Sequence, residues 1–172
     1  MDAEDAHPDE SQLESRPPTL EDLISLCRNL NAAGARYLVI GGMAIIQHGF
    51  TRTTEDVDLL LEGSPENQAR VLEALDSLPD QAARELAGTD LRDYVVVRIA
   101  DEIVVDLMLA SCGIAYEEAC AEVVVMTLGG VPIPFATPRL LLRMKQTVRD
   151  KDAVDRSFLY QKLAEEERSK RG

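Results

Sequence analysis

The sequence predicts an α+β domain built on a mixed β-sheet. Short apolar runs of strand length alternate with longer segments whose apolar residues recur at helical spacing. The resulting order, α-β-α-β-α-β-β-α-β-β-α-α, has no regular βαβ repeat, and two strand pairs are joined by connections short enough for hairpins. We therefore expect parallel and antiparallel pairing in one sheet, with helices packed on one face and further helices at the C-terminus.

The composition is that of a single globular domain with an acidic start. The chain has 172 residues, 45% of them hydrophobic, and a formal net charge of −13. Residues 1–18 are acidic and proline-containing and are predicted to be a disordered tail. Residues 19–136 are predicted to form the core, and residues 137–172 its C-terminal helices. The net charge argues against a protein that coats nucleic acid through a broad basic surface.

No segment of the sequence has the character of a targeting or membrane-spanning element. Residues 1–10 are acidic and lack the apolar stretch of a signal peptide, and the longest apolar runs are too short to span a bilayer. The three cysteines form no CxxC pair, and with only two histidines a structural zinc site is not expected. We expect a cytoplasmic protein with no membrane partner.

The first helix has clear start and stop signals. Thr19 has the character of an N-cap, and Asp22 follows it at the capping-box position. Apolar residues then recur at helical spacing over residues 20–33, and Gly34 ends the helix. The further elements of this half are strands over residues 37–40 and 57–61, a short helix over residues 43–48, and a helix over residues 65–78.

The C-terminal half is expected to contain two hairpins. Strands over residues 94–99 and 103–109 flank a three-residue connection, and strands over residues 123–128 and 131–135 flank a Gly-Gly turn. Two prolines in the strand over residues 131–135 would interrupt a hydrogen-bonded ladder, which predicts an edge position for that strand. The helical segments of this half are residues 114–121, residues 138–148 and the chain from about residue 153 onward.

Three aspartates are the candidate catalytic and metal-binding residues. Asp56 and Asp58 lie on one predicted strand, and because side chains alternate along a strand they project from the same face, about 7 Å apart. Two neighbouring carboxylates repel, and a cation between them relieves that repulsion. Asp106 is a charged residue inside another apolar strand, where an unpaired carboxylate is costly to bury. It is therefore the expected third ligand.

Gly41 and Gly42 are candidate phosphate-binding residues. They lie where a predicted strand gives way to a helix, fourteen residues before Asp56. Glycines at such a position let backbone amides approach a phosphate, and the helix N-terminus supplies positive partial charge. A phosphate cradle beside a metal site is the arrangement that nucleotide chemistry requires.

These motifs resemble those of the DNA polymerase β-like nucleotidyltransferase superfamily. The resemblance lies in the Gly-Gly pair, the Asp-x-Asp of the next strand and the lone Asp of a later strand, and it covers roughly residues 20–163. Within the superfamily, GGMAIIQHG followed by RTTEDVD is similar to the minimal nucleotidyltransferases of the AbiEii toxin type, from bacterial toxin–antitoxin systems. The segment MKQTVRDKDAVD is similar to the segment that closes those domains.

The resemblance implies a nucleotidyltransferase fold and the transfer of an NMP from an NTP such as ATP, with release of pyrophosphate. It implies that Asp56 and Asp58 hold two Mg²⁺ ions, or Mn²⁺, and that Asp106 shares one of them and helps to activate the attacking hydroxyl. It also implies that Gly41 and Gly42 contact the triphosphate. RNA, in particular tRNA, is the implied acceptor, and an antitoxin protein is the implied partner.

Four further residues are candidates for nucleotide binding, and each has a simpler alternative. Arg52 and Thr53 precede the aspartate pair and either contact nucleotide or shape the loop. Lys145 and Arg149 are four positions apart and are expected on one helix face, where they would meet triphosphate or RNA. The alternative for them is a solvated helix face balanced by nearby aspartates. His48 is expected to be a packing or hydrogen-bonding residue.

Three functions remain open from the sequence. The first is NMP transfer to RNA, as the resemblance implies. The second keeps the chemistry but uses a protein side chain or a small molecule as the acceptor. The third is a nucleotidyltransferase fold that binds a partner without turnover, against which the presence of all three carboxylates argues.

Overall fold

The sheet at the centre of the domain has six strands. The computed structural model describes residues 14–172. The strands are β1 (Tyr37–Ile40), β2 (Asp56–Leu61), β3 (Val97–Ala100), β4 (Val104–Met108), β5 (Ala110–Ser111), β6 (Ile114–Ala115), β7 (Val123–Leu128) and β8 (Val131–Ala136). The two-residue strands β5 and β6 pair only with each other, and the other six form one sheet in the order β3-β4-β2-β1-β8-β7.

Pairing within the sheet is mixed, so the predicted α+β class is confirmed. The pairs β2–β4 and β1–β8 are parallel. The pairs β1–β2, β3–β4 and β7–β8 are antiparallel, and the last two are the predicted hairpins. The β5–β6 ribbon was not anticipated, because its strands are too short to show a periodic pattern.

Six α-helices accompany the sheet in the part of the chain that the structure covers. They are α1 (Leu20–Ala32), α2 (Gly41–Gln47), α3 (Pro65–Leu75), α4 (Tyr116–Ala119), α5 (Pro138–Met144) and α6 (Asp150–Arg171). The capping box predicted at the start of α1 is present, with Thr19 and Asp22 each accepting from the other's backbone N–H. Across residues 14–172, no helix combines the length and the apolar composition needed to cross a bilayer.

The prediction that residues 131–135 form an edge strand is wrong. Strand β8 lies between β1 and β7, and its two prolines lie opposite residues of β7. The prolines are tolerated because the ladder between β1 and β8 is registered only at Val39 and Phe135. The carbonyl oxygen of Pro132 instead accepts a hydrogen bond of 2.8 Å from the Asn31 side chain. The edges of the sheet are β3 and β7.

The helix predicted over residues 138–148 is also shorter than expected. It ends at Met144, and α6 begins at Asp150 rather than near residue 153. The intervening loop forms because Lys145, Thr147 and Arg149 all donate hydrogen bonds to the buried Asp152 carboxylate. This convergence is incompatible with one continuous helix, and Val148 is left fully exposed.

The predicted tail has ordered contacts at its C-terminal end. The Ser15 hydroxyl donates to the carbonyl oxygen of Asp101 at 2.6 Å. Arg16 forms ion pairs with Asp22 at 2.6 Å and with Glu102 at 3.1 Å. Residues 1–13, the rest of that predicted tail, lie outside the described residues.

A buried amide joins the start of β1 to the end of β2. The Asn67 side chain accepts from the Arg36 N–H at 2.7 Å. It donates to the carbonyl oxygens of Arg36 and Glu62, both at 2.8 Å. These bonds align β2, which carries the aspartate pair, with β1, which leads directly into the glycine pair at the start of α2.

We predict that Asn67→Ala lowers the free energy of unfolding by about 2–3 kcal/mol, because three backbone groups lose their partner in a buried place. Urea titration followed by circular dichroism measures the change. Asn29→Ala is the matched control, since Asn29 bonds Ser77 at the surface and its loss should cost well under 1 kcal/mol. Equal losses for the two variants would contradict the assignment of Asn67 as the joint between the strands.

Candidate metal and nucleotide site

Strand register brings the predicted aspartates together. In the parallel pair β2–β4, Asp58 lies directly opposite Asp106. In the antiparallel pair β3–β4, Arg98 lies opposite Asp106 on the other side. Asp56 lies two residues before Asp58 and so projects from the same face. The apolar residues that alternate with these aspartates along β2 and β4 are buried in the core. The charged side chains therefore form one row on the other face of the sheet.

The three carboxylates are close enough to share a cation. One oxygen from each of Asp56, Asp58 and Asp106 lies within 4.8 Å of the other two. Burial, reinforced by the charges of Asp56 and Asp106, raises the pKa of Asp58 to about 7. Burial and the Asp106 charge also raise the pKa of Asp56. A compact set of hard oxygen donors whose repulsion a cation would relieve fits Mg²⁺ or Mn²⁺.

The glycine pair is required by the packing of this site. Gly41 has a φ of +66°, and a Cβ on it would lie 2.1 Å from Oδ2 of Asp58. A Cβ on Gly42 would lie 2.6 Å from Oγ1 of Thr54 and 2.8 Å from an Arg52 nitrogen. A side chain at either position would therefore force its neighbours to shift, since Cβ atoms do not approach other heavy atoms this closely. This role for the glycines is additional to the phosphate contact that the sequence suggested.

Arg98 is a member of the site that sequence reasoning missed. Its Nε and Nη2 donate to the two oxygens of Asp106 at 2.9 and 2.8 Å. Its Nη2 also lies 3.3 Å from Oδ2 of Asp56. The hydrogen bonds to Asp106 raise the pKa of Arg98, so the guanidinium is a permanent positive charge within the carboxylate row.

A second cluster of ion pairs borders the carboxylates on the side of α6. Both carboxylate oxygens of Asp155 accept hydrogen bonds of 2.9 Å from Nη1 of Arg52. Oδ2 of Asp155 also lies 3.2 Å from Nζ of Lys145. Asp152 pairs with Lys145 at 3.1 Å and with Arg149 at 2.8 Å. Asp152 and Asp155 therefore hold these three cations in place through ion pairs.

The prediction of a shared helix face for Lys145 and Arg149 is wrong. Lys145 is the C-cap of α5 and Arg149 is the N-cap of α6, so the two residues lie at opposite ends of a loop. They meet through Asp152 instead of through helical spacing.

A cavity of about 530 Å³ gathers most of the candidate residues. Its lining includes the three aspartates together with Gly42, Arg52, Thr53, Lys145 and Arg149. Gly41 instead lines a neighbouring cavity. Phe50, Thr54 and Lys151 also line the first cavity and were not among the candidates. Lys151 could have been found from its place in the basic C-terminal segment.

His48 lies outside this cavity, as its predicted role requires. It is buried, and its Nε2 is 2.8 Å from the carbonyl oxygen of Ala136 in β8. This hydrogen bond ties the end of α2 to the sheet and confirms the prediction of a structural histidine.

Two solved structures share the arrangement of these elements. The antigenic nucleotidyltransferase-like protein from Paracoccidioides brasiliensis superposes with a TM-score of 0.51 at 16% identity, covering 86% of this chain and 78% of that protein. The lincosamide antibiotic adenylyltransferase LnuA, solved with lincomycin bound, superposes with a TM-score of 0.52 at 13% identity, covering 84% of this chain and 98% of that one. The chain has the nucleotidyltransferase fold.

The similarity to these two structures is one of fold, at identities of 16% and 13%. No protein-family model matches the sequence, and no curated protein matches it. The similarity to the AbiEii toxins rests on the sequence motifs alone.

We predict that Arg98→Gln raises the affinity for Mn²⁺ about tenfold, because a positive charge beside the carboxylates opposes a second cation. Isothermal titration calorimetry with Mn²⁺ measures this directly. Arg92→Gln is the matched control, since Arg92 pairs with Asp90 at the surface and away from the row. Weaker Mn²⁺ binding by Arg98→Gln would contradict the prediction, because it would show that losing the two hydrogen bonds to Asp106 costs more than the removed repulsion gains.

The Asp152 cluster predicts an acid-sensitive C-terminal segment. Burial acts to raise the pKa of Asp152, but hydrogen bonds from Thr147 and Lys145 outweigh it and hold the pKa at about 2. A carboxyl whose pKa is depressed by folding stabilises the protein above its unfolded pKa and loses that contribution as the pH falls. We therefore expect about 2 kcal/mol of stability to disappear between pH 5 and pH 2.

Chemical denaturation at several pH values measures that loss. Asp152→Asn should flatten the acid limb of the stability curve, whereas Asp150→Asn, at an exposed neighbouring position, should retain the wild-type slope. Parallel curves for wild type and Asp152→Asn would show that the cluster does not stabilise the fold.

Proposed function

We propose that this protein is a metal-dependent nucleotidyltransferase that transfers an NMP from an NTP to a hydroxyl group. The observation that carries the proposal is the row formed by Asp58 opposite Asp106, with Asp56 beside them, next to a cavity that contains several cationic side chains. The nucleotidyltransferase fold supports it. The presence of all three carboxylates favours turnover over a binding role alone.

The carboxylates are assigned roles according to their positions. Asp56, Asp58 and Asp106 would together hold two divalent ions, Mg²⁺ or Mn²⁺. When bound, such a pair of ions supplies charge stabilisation for the attacking and leaving oxygens of an in-line displacement. Asp106 also accepts the proton of the attacking hydroxyl. Arg98 holds Asp106 through two hydrogen bonds and so fixes the direction of its oxygens.

The triphosphate is assigned to the first cavity. Lys145, Arg149 and Lys151 line it beside the carboxylates, and Arg52 completes the cationic lining. Asp152 and Asp155 hold Lys145, Arg149 and Arg52 in fixed positions, so these side chains lose little further freedom when a phosphate binds. The Gly42 N–H and the Thr53 hydroxyl add hydrogen-bond donors in the same cavity, and Gly41, which lines the adjoining cavity, adds its N–H at the boundary between the two.

Two classes of acceptor molecule are supported, RNA and a small molecule. The motif resemblance to AbiEii toxins supports RNA, in particular tRNA, and with it a toxin role and an antitoxin partner. LnuA is an adenylyltransferase whose structure contains the antibiotic lincomycin, and its similarity in fold supports a small-molecule acceptor. NMP transfer is common to both classes and is therefore the statement to test first.

We predict that the purified protein, with Mg²⁺ and each α-labelled NTP in turn, transfers label to an acceptor in a cell extract. Asp58→Asn and Asp106→Asn should each lower the rate about a thousandfold, because loss of a ligand removes several kcal/mol of charge stabilisation. Scintillation counting of the separated products measures the rate.

Asp90→Asn is the matched control, because Asp90 is a surface carboxylate paired with Arg92 outside both cavities. It should retain the wild-type rate. Binding of each NTP with Mg²⁺ is measured on the same samples by calorimetry. Failure of every NTP to bind would refute the proposed function, and binding without transfer would favour a silent nucleotidyltransferase fold.

A further inference from the structure

A second cavity also adjoins the carboxylate row. Its volume is about 550 Å³, which lies within the range of small-molecule pockets. It shares Asp58, Arg98 and Asp106 with the first cavity, so a molecule bound in it would reach the same carboxylates. The two cavities are therefore neighbours that meet at one charged row.

The walls of this second cavity are more apolar than those of the first. They come from the segment before β3, the end of β4, the loop at Cys112 and helix α5. The apolar residues among them are Ile40, Val95, Val96, Met108, Leu141 and Met144. Val95 and Val96 are 86% and 46% exposed, whereas Val97, the next residue along the chain, is buried. An exposed apolar pair at the mouth of a cavity is a place where a ligand can bury its own apolar surface.

The residues that line the two cavities suit different ligands. The first contains Arg52 and Lys151, which are absent from the lining of the second, together with the aromatic ring of Phe50. Cations suit the triphosphate, and an aromatic ring suits the base. The second contains no aromatic ring among its lining residues. The second cavity is therefore the site available to the acceptor.

The charges of the described residues argue against a polynucleotide in that place. An RNA strand is bound by cations that neutralise a series of its phosphates. The cations that line the second cavity are Arg98, Lys145 and Arg149, and all three line the first cavity as well. Among its described lining residues, the second cavity therefore adds no cation of its own for an RNA backbone. The net charge of −13 adds a general repulsion for RNA.

We propose that the second cavity is the acceptor site and that the acceptor is a small molecule with an apolar body and a hydroxyl group. This inference rests on the proposed NMP transfer. The hydroxyl oxygen forms a bond to the α-phosphorus while the bond from that phosphorus to the oxygen bridging to the β-phosphate breaks. Pyrophosphate leaves with that electron pair, and the hydroxyl proton passes to Asp106.

The test gives the full-length protein Mg²⁺ and α-labelled NTP with the small-molecule, RNA and protein fractions of a bacterial extract, and with lincomycin as a defined probe. We expect the label to enter the small-molecule fraction. Val95→Lys/Val96→Lys should lower kcat/KM for that transfer at least about tenfold, since it replaces apolar surface with charge. NTP binding, measured by calorimetry, should be unchanged.

The direction in which Val95→Lys/Val96→Lys changes the rate of transfer distinguishes the acceptor classes. Added lysines would strengthen transfer to RNA, so label in RNA that increases in the variant would overturn the inference. Label in protein, or NTP binding with label in no fraction, would overturn it as well. Absence of NTP binding would instead refute the proposed function. Val125→Lys is the matched control, because Val125 is 61% exposed on β7 at the opposite edge of the sheet.

Discussion

The register of the parallel pair β2–β4 is the constraint on which the candidate site depends. It sets Asp58 opposite Asp106, and the same alternation keeps Val57 and Leu59 of β2 in the core. A slip of one residue would bury the carboxylates and expose the apolar side chains, so the hydrophobic core and the charged row enforce each other. The free energy of core burial thereby holds together carboxylates that would otherwise repel.

The protein balances this charge with its own cations in two different ways. Arg98 enters the row from an edge strand and contacts the carboxylates directly. Three further cations share a cavity with the row, namely Arg52, Lys145 and Arg149. Their positions are set by ion pairs with Asp152 and Asp155 rather than by contact with the row. Because Arg52 lies on the loop before β2 and the two aspartates lie on α6, this cluster also fastens the C-terminal helix to the core. The C-terminal segment is therefore part of the site and not an appendage to it.

The sequence predicts the fold and the aspartates well because both leave local signals. Strand-length apolar runs, caps and the Asp-x-Asp spacing are all visible within a few residues. Non-local geometry is not visible in the same way. A connection over residues 100–102 would set Val96 opposite Asp106, whereas the observed register pairs Ala100 with Val104 and so places Arg98 there. The interior position of β8 was missed for the same reason, since it depends on β1 and Asn31, which are distant in sequence. The partners that form the loop between α5 and α6 are close in sequence, but their convergence on Asp152 leaves no periodic pattern to recognise.

The close approach of Gly41 to Asp58 links two positions seventeen residues apart in the chain. A side chain at the first can be accommodated only if the carboxylate at the second moves or is lost. A substitution at Gly41 would therefore disturb the carboxylate row even though it changes no carboxylate. The position of Asp58 opposite Asp106 depends on a residue that contributes no side chain at all.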